Sequence, residues 1–319
     1  MGEMTLDHSS KVYVAGHRGL VGSAIVRMLE KEGFTNLATR THAELDLTDA
    51  RAVDAFFEAE KPEYVYLAAA RVGGIKANDT YPADFVRDNL LIQTNVIDAS
   101  YRFGVKKLLF LGSSCIYPKH CPQPMKEEHL LTGKLEPTND AYAIAKIAGI
   151  IACKSYNRQH GTNFIAAMPT NLYGPNDNFD RETSHVLAAM IRKFHDAKVK
   201  GDKSLELWGT GSPRREFLYV DDMADGLLFL MENFDANPEK PDDVFLNLGV
   251  GEDVTIKELA GIIREVVGFE GEIEWNTDMP DGTPRKLMDV NRMSQMGWKA
   301  NTSLKEGIEK TYRLYVNNL

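Results

Sequence analysis

Residues 11 to 22 read KVYVAGHRGLVG. The run KVYVAG has the composition of a strand. The residues that follow, Gly16-His17-Arg18-Gly19-Leu20-Val21-Gly22, give G-x-x-G-x-x-G where that strand turns into a helix. Glycines there permit a tight turn and let the backbone and a helix N-terminus approach a pyrophosphate. Three glycines alone are also satisfied by a merely compact turn. The strand before them, the helix after them and the pattern downstream decide for a dinucleotide site.

That downstream pattern alternates short apolar runs with helix-period segments, as βαβ units on a parallel sheet do. Strands are predicted at 11 to 16, 37 to 41, 64 to 70, 107 to 114 and 163 to 170, with helices at 20 to 32, 49 to 60, 82 to 103 and 139 to 160. After Tyr173-Gly174-Pro175 the pattern changes. The polar stretch NDNFDRETSH leads to an amphipathic helix at 184 to 197, then LELWGTG, REFLYVDD, a helix at 221 to 233 and a strand at 244 to 249. The fold expected is α/β, a Rossmann-type doubly wound parallel sheet with a smaller mixed α/β C-terminal substrate domain. Residues 1–172, with 221–249 returning, form the expected nucleotide-binding domain; 173–220 and 250–319 form the substrate-binding one. The Pro-rich loop from Cys115 to Pro137 is long enough to be read as a lid or binding loop.

Composition sets the bounds. The 319 residues correspond to about two packed domains at roughly 100–200 residues each. With 46 acidic against 37 basic residues the formal charge is −9, which argues against a general nucleic-acid binder and makes any phosphate site a local one. The first ten residues, MGEMTLDHSS, carry no basic and apolar targeting pattern, and no apolar run approaches the roughly 20 residues that span a bilayer. Three scattered cysteines, Cys115, Cys121 and Cys153, form no disulfide framework, so a reducing cytoplasm is the expected location. No metal site is expected.

A site built for NAD carries an acidic residue at the end of the second strand, on the ribose 2′-hydroxyl. Here that strand end reads Thr39-Arg40-Thr41-His42. Arg18, Arg40 and His42 are therefore expected to cradle the extra phosphate of NADP, since guanidinium suits bidentate phosphate contacts. In the competing reading Arg40 is solvated and Arg18 caps the loop.

Tyr142 and Lys146 stand four residues apart in DAYAIAK and so share one helix face. An adjacent ammonium is expected to lower the tyrosine pKa, which suits a proton donor to a developing alkoxide. Ser113, in GSS at a strand end, adds a hydrogen bond to the same oxygen. A bare Y-x-x-x-K also arises by chance on exposed helices.

Through GHRGLVG, GSS and YAIAK the chain resembles the extended short-chain dehydrogenase/reductases. More closely it resembles the GDP-L-fucose synthase family, along VAGHRGLVGSAIVR, YLAAARVGGI, LFLGSSCIYP, LEPTNDAYAIAKIAGI, MPTNLYGPNDNF, REFLYVDDMA and PDGTPRKLMDV. The resemblance implies an NADP(H)-dependent enzyme that epimerises GDP-4-dehydro-6-deoxy-D-mannose at C3 and C5 and reduces C4. It implies Gly16 to Gly22, Arg40, His42, Leu111, Gly112, Lys146, Pro169, Asn171, Leu172 and His185 as cofactor residues.

A reductase with Ser113, Tyr142 and Lys146 needs no cysteine, so Cys115 in GSSCIYP suggests a second reaction. Hydrogens α to the 4-ketone are acidic, and inversion needs a base on one face and an acid on the other. The resemblance implies Cys115 as base and His185, opening SHVLAAMIRKFH, as acid. Without it, Cys115 reads as a small buried hydrophobe and His185 as a capping residue. Lys193, Trp208, Arg215 and Asp281 match the family's positions for the GDP-sugar; Lys193 and Arg215 also suit an ordinary solvated face. A homodimer through helices 82 to 103 and 139 to 160 is implied as well. The alternatives are a single-function nucleotide-sugar 4-reductase or 4-epimerase, for which Cys115 and His185 are dispensable, and a non-catalytic NADP-sensing regulator.

Overall fold

A computed structural model describes residues 6–180, 183–279 and 281–319. The first five residues of the segment read for targeting, two residues of the polar stretch (181 and 182) and residue 280 of the PDGTPRK string lie outside them. The first half of the chain runs β1 (Val12–Ala15), α1 (Leu20–Lys31), β2 (Leu37–Ala38), α2 (Ala50–Glu60), β3 (Tyr64–Leu67), α3 (Ile75–Thr80), α4 (Pro82–Arg102), β4 (Lys107–Leu111), α5 (Asp140–His160) and β5 (Phe164–Pro169). The second runs β6 (Asn171–Tyr173), α6 (Val186–Lys200), β7 (Ser204–Trp208), β8 (Arg214–Arg215), β9 (Phe217–Tyr219), α7 (Val220–Asn233), β10 (Phe245–Leu248), β11 (Val254–Thr255), α8 (Ile256–Val267), β12 (Glu272–Asn276), β13 (Arg285–Lys286), α9 (Asn291–Met296) and α10 (Leu304–Asn317).

Six strands form one parallel sheet in the order β10-β5-β4-β3-β1-β2. Because successive side chains leave a strand on opposite faces, the sheet feeds two cores. Tyr13, Val65, Leu108, Phe110 and Phe164 pack with α2, α4 and α5. Val12, Val14, Tyr66, Leu109 and Ile165 pack on the other face with α1 and α7. A third core gathers α6, α8 and α10 around Phe194, Ile263 and Ile308. β1 has β2 on one side and β3 on the other, so the strand order reverses beside β1. In open parallel sheets, that reversal opens the crevice at the strands' carboxyl ends.

The strand predicted at 37 to 41 pairs only through Leu37 and Ala38. Beyond them the polar groups find other partners: Arg40 donates to Glu60 Oε1 at 2.5 Å and to the Thr39 carbonyl at 2.7 Å, and the Thr41 N–H donates to Glu44 at 2.7 Å. The strand predicted at 107 to 114 stops at Leu111, since Ser113 caps a 3-10 turn over Ser114–Ile116. The Cys115 to Pro137 loop is fastened down. Tyr117 OH donates to Asn247 Oδ1 at 2.5 Å, Asn247 Nδ2 donates to the Met125 carbonyl at 2.9 Å, and the Met125 N–H donates to the Leu287 carbonyl at 2.8 Å.

Lys107, wholly buried in β4, caps the C-terminal end of α7. Its Nζ donates to the Met231 carbonyl at 2.7 Å and to Asp235 Oδ1 at 2.8 Å. Lys107→Met takes the ammonium from the Met231 carbonyl at the helix end and from Asp235, which keeps the Asn163 amide, so chemical denaturation should show a loss of about 1–3 kcal/mol. A midpoint equal to wild type would deny the cap its role.

Candidate active site

The glycine turn stands at the mouth of the crevice. Gly16 is left-handed (φ +87°), and the Gly19 N–H donates back to the Gly16 carbonyl at 3.0 Å. Gly19 begins α1 with no side-chain cap, so the helix's first amides face the crevice unclaimed by a side chain. A Cβ on Gly22 would fall 2.1 Å from the Gly16 carbonyl oxygen. A backbone cradle of this kind fits a pyrophosphate, and Leu20 and Val21 anchor it by packing on the α1/α7 core. His17 is half-buried within the turn, while Arg18 is exposed.

Arg40 lies over the Phe56 ring, 5.4 Å from its centroid, held there by Glu60. Arg18 and Arg40 share a neighbourhood: hydrogen bonds from Thr41 lower the Glu44 carboxyl, and both guanidiniums add to that lowering. His42 is largely exposed and lies 3.9 Å from Asp46. Two arginines thus share one acidic neighbour while His42 faces another.

At the far side of the crevice four predicted residues meet. Lys146 Nζ donates to the Leu111 carbonyl at 2.8 Å and stands 5.7 Å from the centroid of the Tyr142 ring, which packs edge-on against Phe85. The Cys115 N–H donates to Ser113 Oγ at 3.4 Å. The Ser113 hydroxyl acts on both the Tyr142 phenol and the Cys115 thiol, lowering the pKa of each.

Electrostatics there depart from the sequence expectation. Burial raises the Tyr142 pKa, which the Cys115 charge also raises and the Ser113 hydroxyl lowers. Burial brings Lys146 down to about 8. Desolvation therefore outweighs the expected lowering of Tyr142 by its ammonium neighbour, and the phenol stays protonated, the form a proton donor needs. Cys115 is 8% exposed; burial raises its pKa, against the lowering by Ser113, Lys286 and Lys146.

His185 is the N-cap residue of α6; it is exposed, and partial desolvation by the surrounding protein lowers its pKa. The segment before it rests on the loop after β3, where the Gly74 N–H donates to the Thr183 carbonyl at 3.3 Å. Gly112 donates its N–H to the Ala167 carbonyl at 2.9 Å, Pro169 ends β5, Asn171 Nδ2 donates to the Glu216 carbonyl at 2.8 Å, and Leu172 pairs with Leu218. These positions lie at or just beyond the carboxyl ends of β4 and β5, Asn171 and Leu172 in the short β6 that follows.

Lys193 Nζ lies 5.2 Å from the ring centroid of Trp208, a residue 62% exposed. Asp281 is engaged by the opposing loop, accepting from the Thr210 N–H at 3.0 Å and its hydroxyl at 2.7 Å. Arg215 is buried enough for desolvation to lower its pKa, and donates to the Arg214 carbonyl. It pairs in register with Lys286, a residue not singled out from the sequence. Lys286 is shifted down by burial, an effect the Cys115 charge opposes and the Arg215 charge adds to. No local motif marks it: it sits in a two-residue strand whose partner is 71 positions earlier (286 against 215). Among the described residues no group of three or more His, Cys, Asp or Glu side chains could hold a metal ion.

Residues 12–249 match the NAD dependent epimerase/dehydratase family. GDP-L-fucose synthase 1 of Arabidopsis thaliana is 59% identical over 98% of this chain and 95% of its own length. The GDP-L-fucose synthase of Escherichia coli is 52% identical over 97% of both. A crystal structure of a GDP-L-fucose synthetase from Naegleria fowleri bound to NADP superposes with a TM-score of 0.90 at 29% identity, covering 99% of this chain and 96% of that one. The glycine crevice and the Ser113, Tyr142 and Lys146 cluster are thus set in a chain that belongs to the NAD dependent epimerase/dehydratase family and, within it, to the GDP-L-fucose synthases.

Proposed function

We propose that the chain epimerises GDP-4-dehydro-6-deoxy-D-mannose at C3 and C5 and reduces it at C4 with NADPH, yielding GDP-L-fucose from one site. The observation that carries this reading is the cluster at the end of β4, where the Cys115 N–H donates to Ser113 Oγ at 3.4 Å and Lys146, 5.7 Å from the centroid of the Tyr142 ring, donates to the Leu111 carbonyl; it supports a carbonyl-polarising pair and a proton-abstracting thiol acting at one site. NADP(H) is held by the turn from Gly16 to Gly22, by Arg18 and Arg40, and by Leu111, Gly112, Lys146, Pro169, Asn171, Leu172 and His185. It supplies the hydride for C4.

Ser113 and Tyr142 hydrogen-bond to the C4 oxygen, stabilising the enolate that forms when an α proton leaves. Cys115 takes that proton and His185 returns one to the opposite face, once at C3 and once at C5. Tyr142 then gives its proton to the C4 alkoxide. Burial favours the neutral thiol, so the working thiolate depends on Lys146 and Lys286. Trp208 stacks on the base, and Lys193 and Arg215 meet the diphosphate. Asp281 holds the Trp208 loop through Thr210. The sheet elements through β5, with α7 and β10, act as the cofactor-binding domain, and the remainder as the substrate-binding one.

The enzyme acts as a cytoplasmic homodimer through α4 and α5, where Leu91, Tyr101, Ile144 and Ile151 are exposed. Among the described residues no helix is long and apolar enough to cross a membrane.

Incubation with GDP-4-keto-6-deoxymannose and NADPH, followed by NMR of the sugar, tests the whole reading: the product is the L-fuco sugar, and an unchanged keto sugar rejects it. Cofactor choice is tested separately. Charge-assisted contacts are worth about 1.5–3 kcal/mol, so Arg40→Ala should raise the KM for NADPH roughly 10- to 100-fold and leave that for NADH unchanged. Equal use of both cofactors by the wild type would remove the phosphate cradle.

A further inference from the structure

Val72 is 64% exposed, a branched apolar side chain left open in a loop that its neighbours hold closely. The loop, residues 68 to 74, contains no helix or turn and joins β3 to α3 beyond the carboxyl end of the strand. On one side it is fastened to α4. The Arg71 N–H donates to Asn89 Oδ1 at 3.0 Å, Asn89 Nδ2 donates back to the Arg71 carbonyl at 3.0 Å, and the Arg71 guanidinium lies over the Phe85 ring and pairs with Asp88 at 2.8 Å. A Cβ on Gly73 would fall 3.2 Å from Phe85 Cζ. On the other side the loop meets the segment that leads into α6. The Gly74 N–H donates to the Thr183 carbonyl, and a Cβ on Gly74 would fall 3.3 Å from that oxygen and 3.4 Å from the Ser184 carbonyl oxygen.

Arg71 and Gly73 both meet α4, and successive residues of an extended run leave it on opposite sides, so Val72 leaves the loop away from α4. Both attachments lead to site residues. Phe85, on which Gly73 packs, receives the Tyr142 ring edge-on. Thr183, which Gly74 touches, stands two residues before His185. The loop thus spans from the proton donor of the reduction to the acid of the epimerisation, with Val72 uncovered between the two attachments.

Two carbons flank a C4 ketone held by Ser113 and Tyr142: C3 carries a hydroxyl, and C5 carries the methyl of the 6-deoxy sugar. A hydroxyl set against valine loses water and gains no hydrogen bond, whereas a methyl gains a contact. The chemistry of the side chain therefore selects the C5 edge. We propose that Val72 is a specificity-determining residue that packs against the C6 methyl of the keto sugar and sets the preference for a 6-deoxyhexose. The inference rests on the reading in which Ser113 and Tyr142 hold the C4 oxygen.

The test compares kcat/KM, from NADPH consumption, on GDP-4-keto-6-deoxymannose and on the analogue whose C5 carries hydrogen in place of the methyl. Val72 is exposed, so Val72→Ala should unfold at the wild-type midpoint. On the 6-deoxy sugar it should lose roughly 10-fold, the scale on which an apolar pocket registers a methylene. On the analogue, which offers Val72 nothing to touch, the loss should stay below about 2-fold, the non-additivity of groups in contact. Val72→Thr keeps the outline and sets a hydroxyl against the methyl, so it should show the same pattern. The KM for NADPH and the affinity for GDP should not change in either variant. An equal loss on both sugars, as a cofactor contact or a disturbed loop would give, overturns the proposal, and so does wild-type kcat/KM on the 6-deoxy sugar in both variants. The wild-type protein separates the two levels. If it leaves the keto sugar unchanged, the proposed reaction itself falls; if it forms the L-fuco product while the Val72 variants do not tell the two sugars apart, only the role of Val72 falls.

Discussion

In Tyr142→Phe, NADPH-dependent reduction of the 4-keto sugar falls by roughly 10²–10⁴-fold, the contribution of a positioned proton donor. The substitution keeps the ring, so its edge-on packing against Phe85, 6.3 Å between centroids, survives. What leaves is the hydroxyl, and with it the proton that meets the alkoxide as hydride arrives at C4. Ser113 still hydrogen-bonds to the carbonyl oxygen but is too weak an acid to replace the phenol. Single-turnover loss of NADPH absorbance, with calorimetry for GDP-sugar binding, reads the two quantities apart. The expected pattern is a collapse of the hydride step at unchanged dissociation constants, the signature of an interaction made in the transition state. Because Ser113 still polarises C4, deuterium exchange at C3 and C5 persists. Reduction near the wild-type rate would assign the proton to another group.

What the sequence made legible, and what it did not, divides along the range of the interactions. The glycine turn and the Tyr142/Lys146 pair are local: their spacing along one strand end or one helix face is the geometry itself. Cys115 is legible for the same reason only as a neighbour of Ser113; its role as base comes from the resemblance, not from the spacing. Lys286 and Glu216 acquire their meaning from partners far away in sequence, such as the Glu216 bond to Met288 across 72 residues, and no periodicity announces a two-residue strand. β-branched residues at 37 to 41 suit a ladder, but the strand ends at Ala38 because Glu60 and Glu44 draw Arg40 and Thr41 out of it. Charge adjacency was visible too, but its consequence was not. Spacing shows that Lys146 neighbours Tyr142, yet the direction of the tyrosine shift is set by burial, which only the folded chain discloses.

Cys115→Ser should abolish solvent deuterium entry at C3 and C5 while sparing hydride transfer. Serine keeps the local shape of the 3-10 turn, where Ser113 Oγ accepts the backbone N–H of residue 115. It replaces a thiol of intrinsic pKa about 8.5 with a hydroxyl that does not ionise at neutral pH, at a cost of roughly 10²–10⁴ in exchange rate. The charges of Lys286 and Lys146, which lower the Cys115 pKa, assist an anion that a thiol can form and a hydroxyl cannot. Tyr142, Lys146 and the cofactor crevice are untouched, so the variant given NADPH reduces the unepimerised ketone slowly and releases a GDP-6-deoxy sugar of the D series. His185→Asn should behave differently. It leaves the base able to remove protons but impairs their return from the opposite face, so exchange outlasts inversion. NMR of both variants in D₂O, first without and then with NADPH, separates abstraction, inversion and reduction in one sample series. Wild-type exchange in Cys115→Ser would reduce the thiol to a packing group in the turn and move the search for the base to His185.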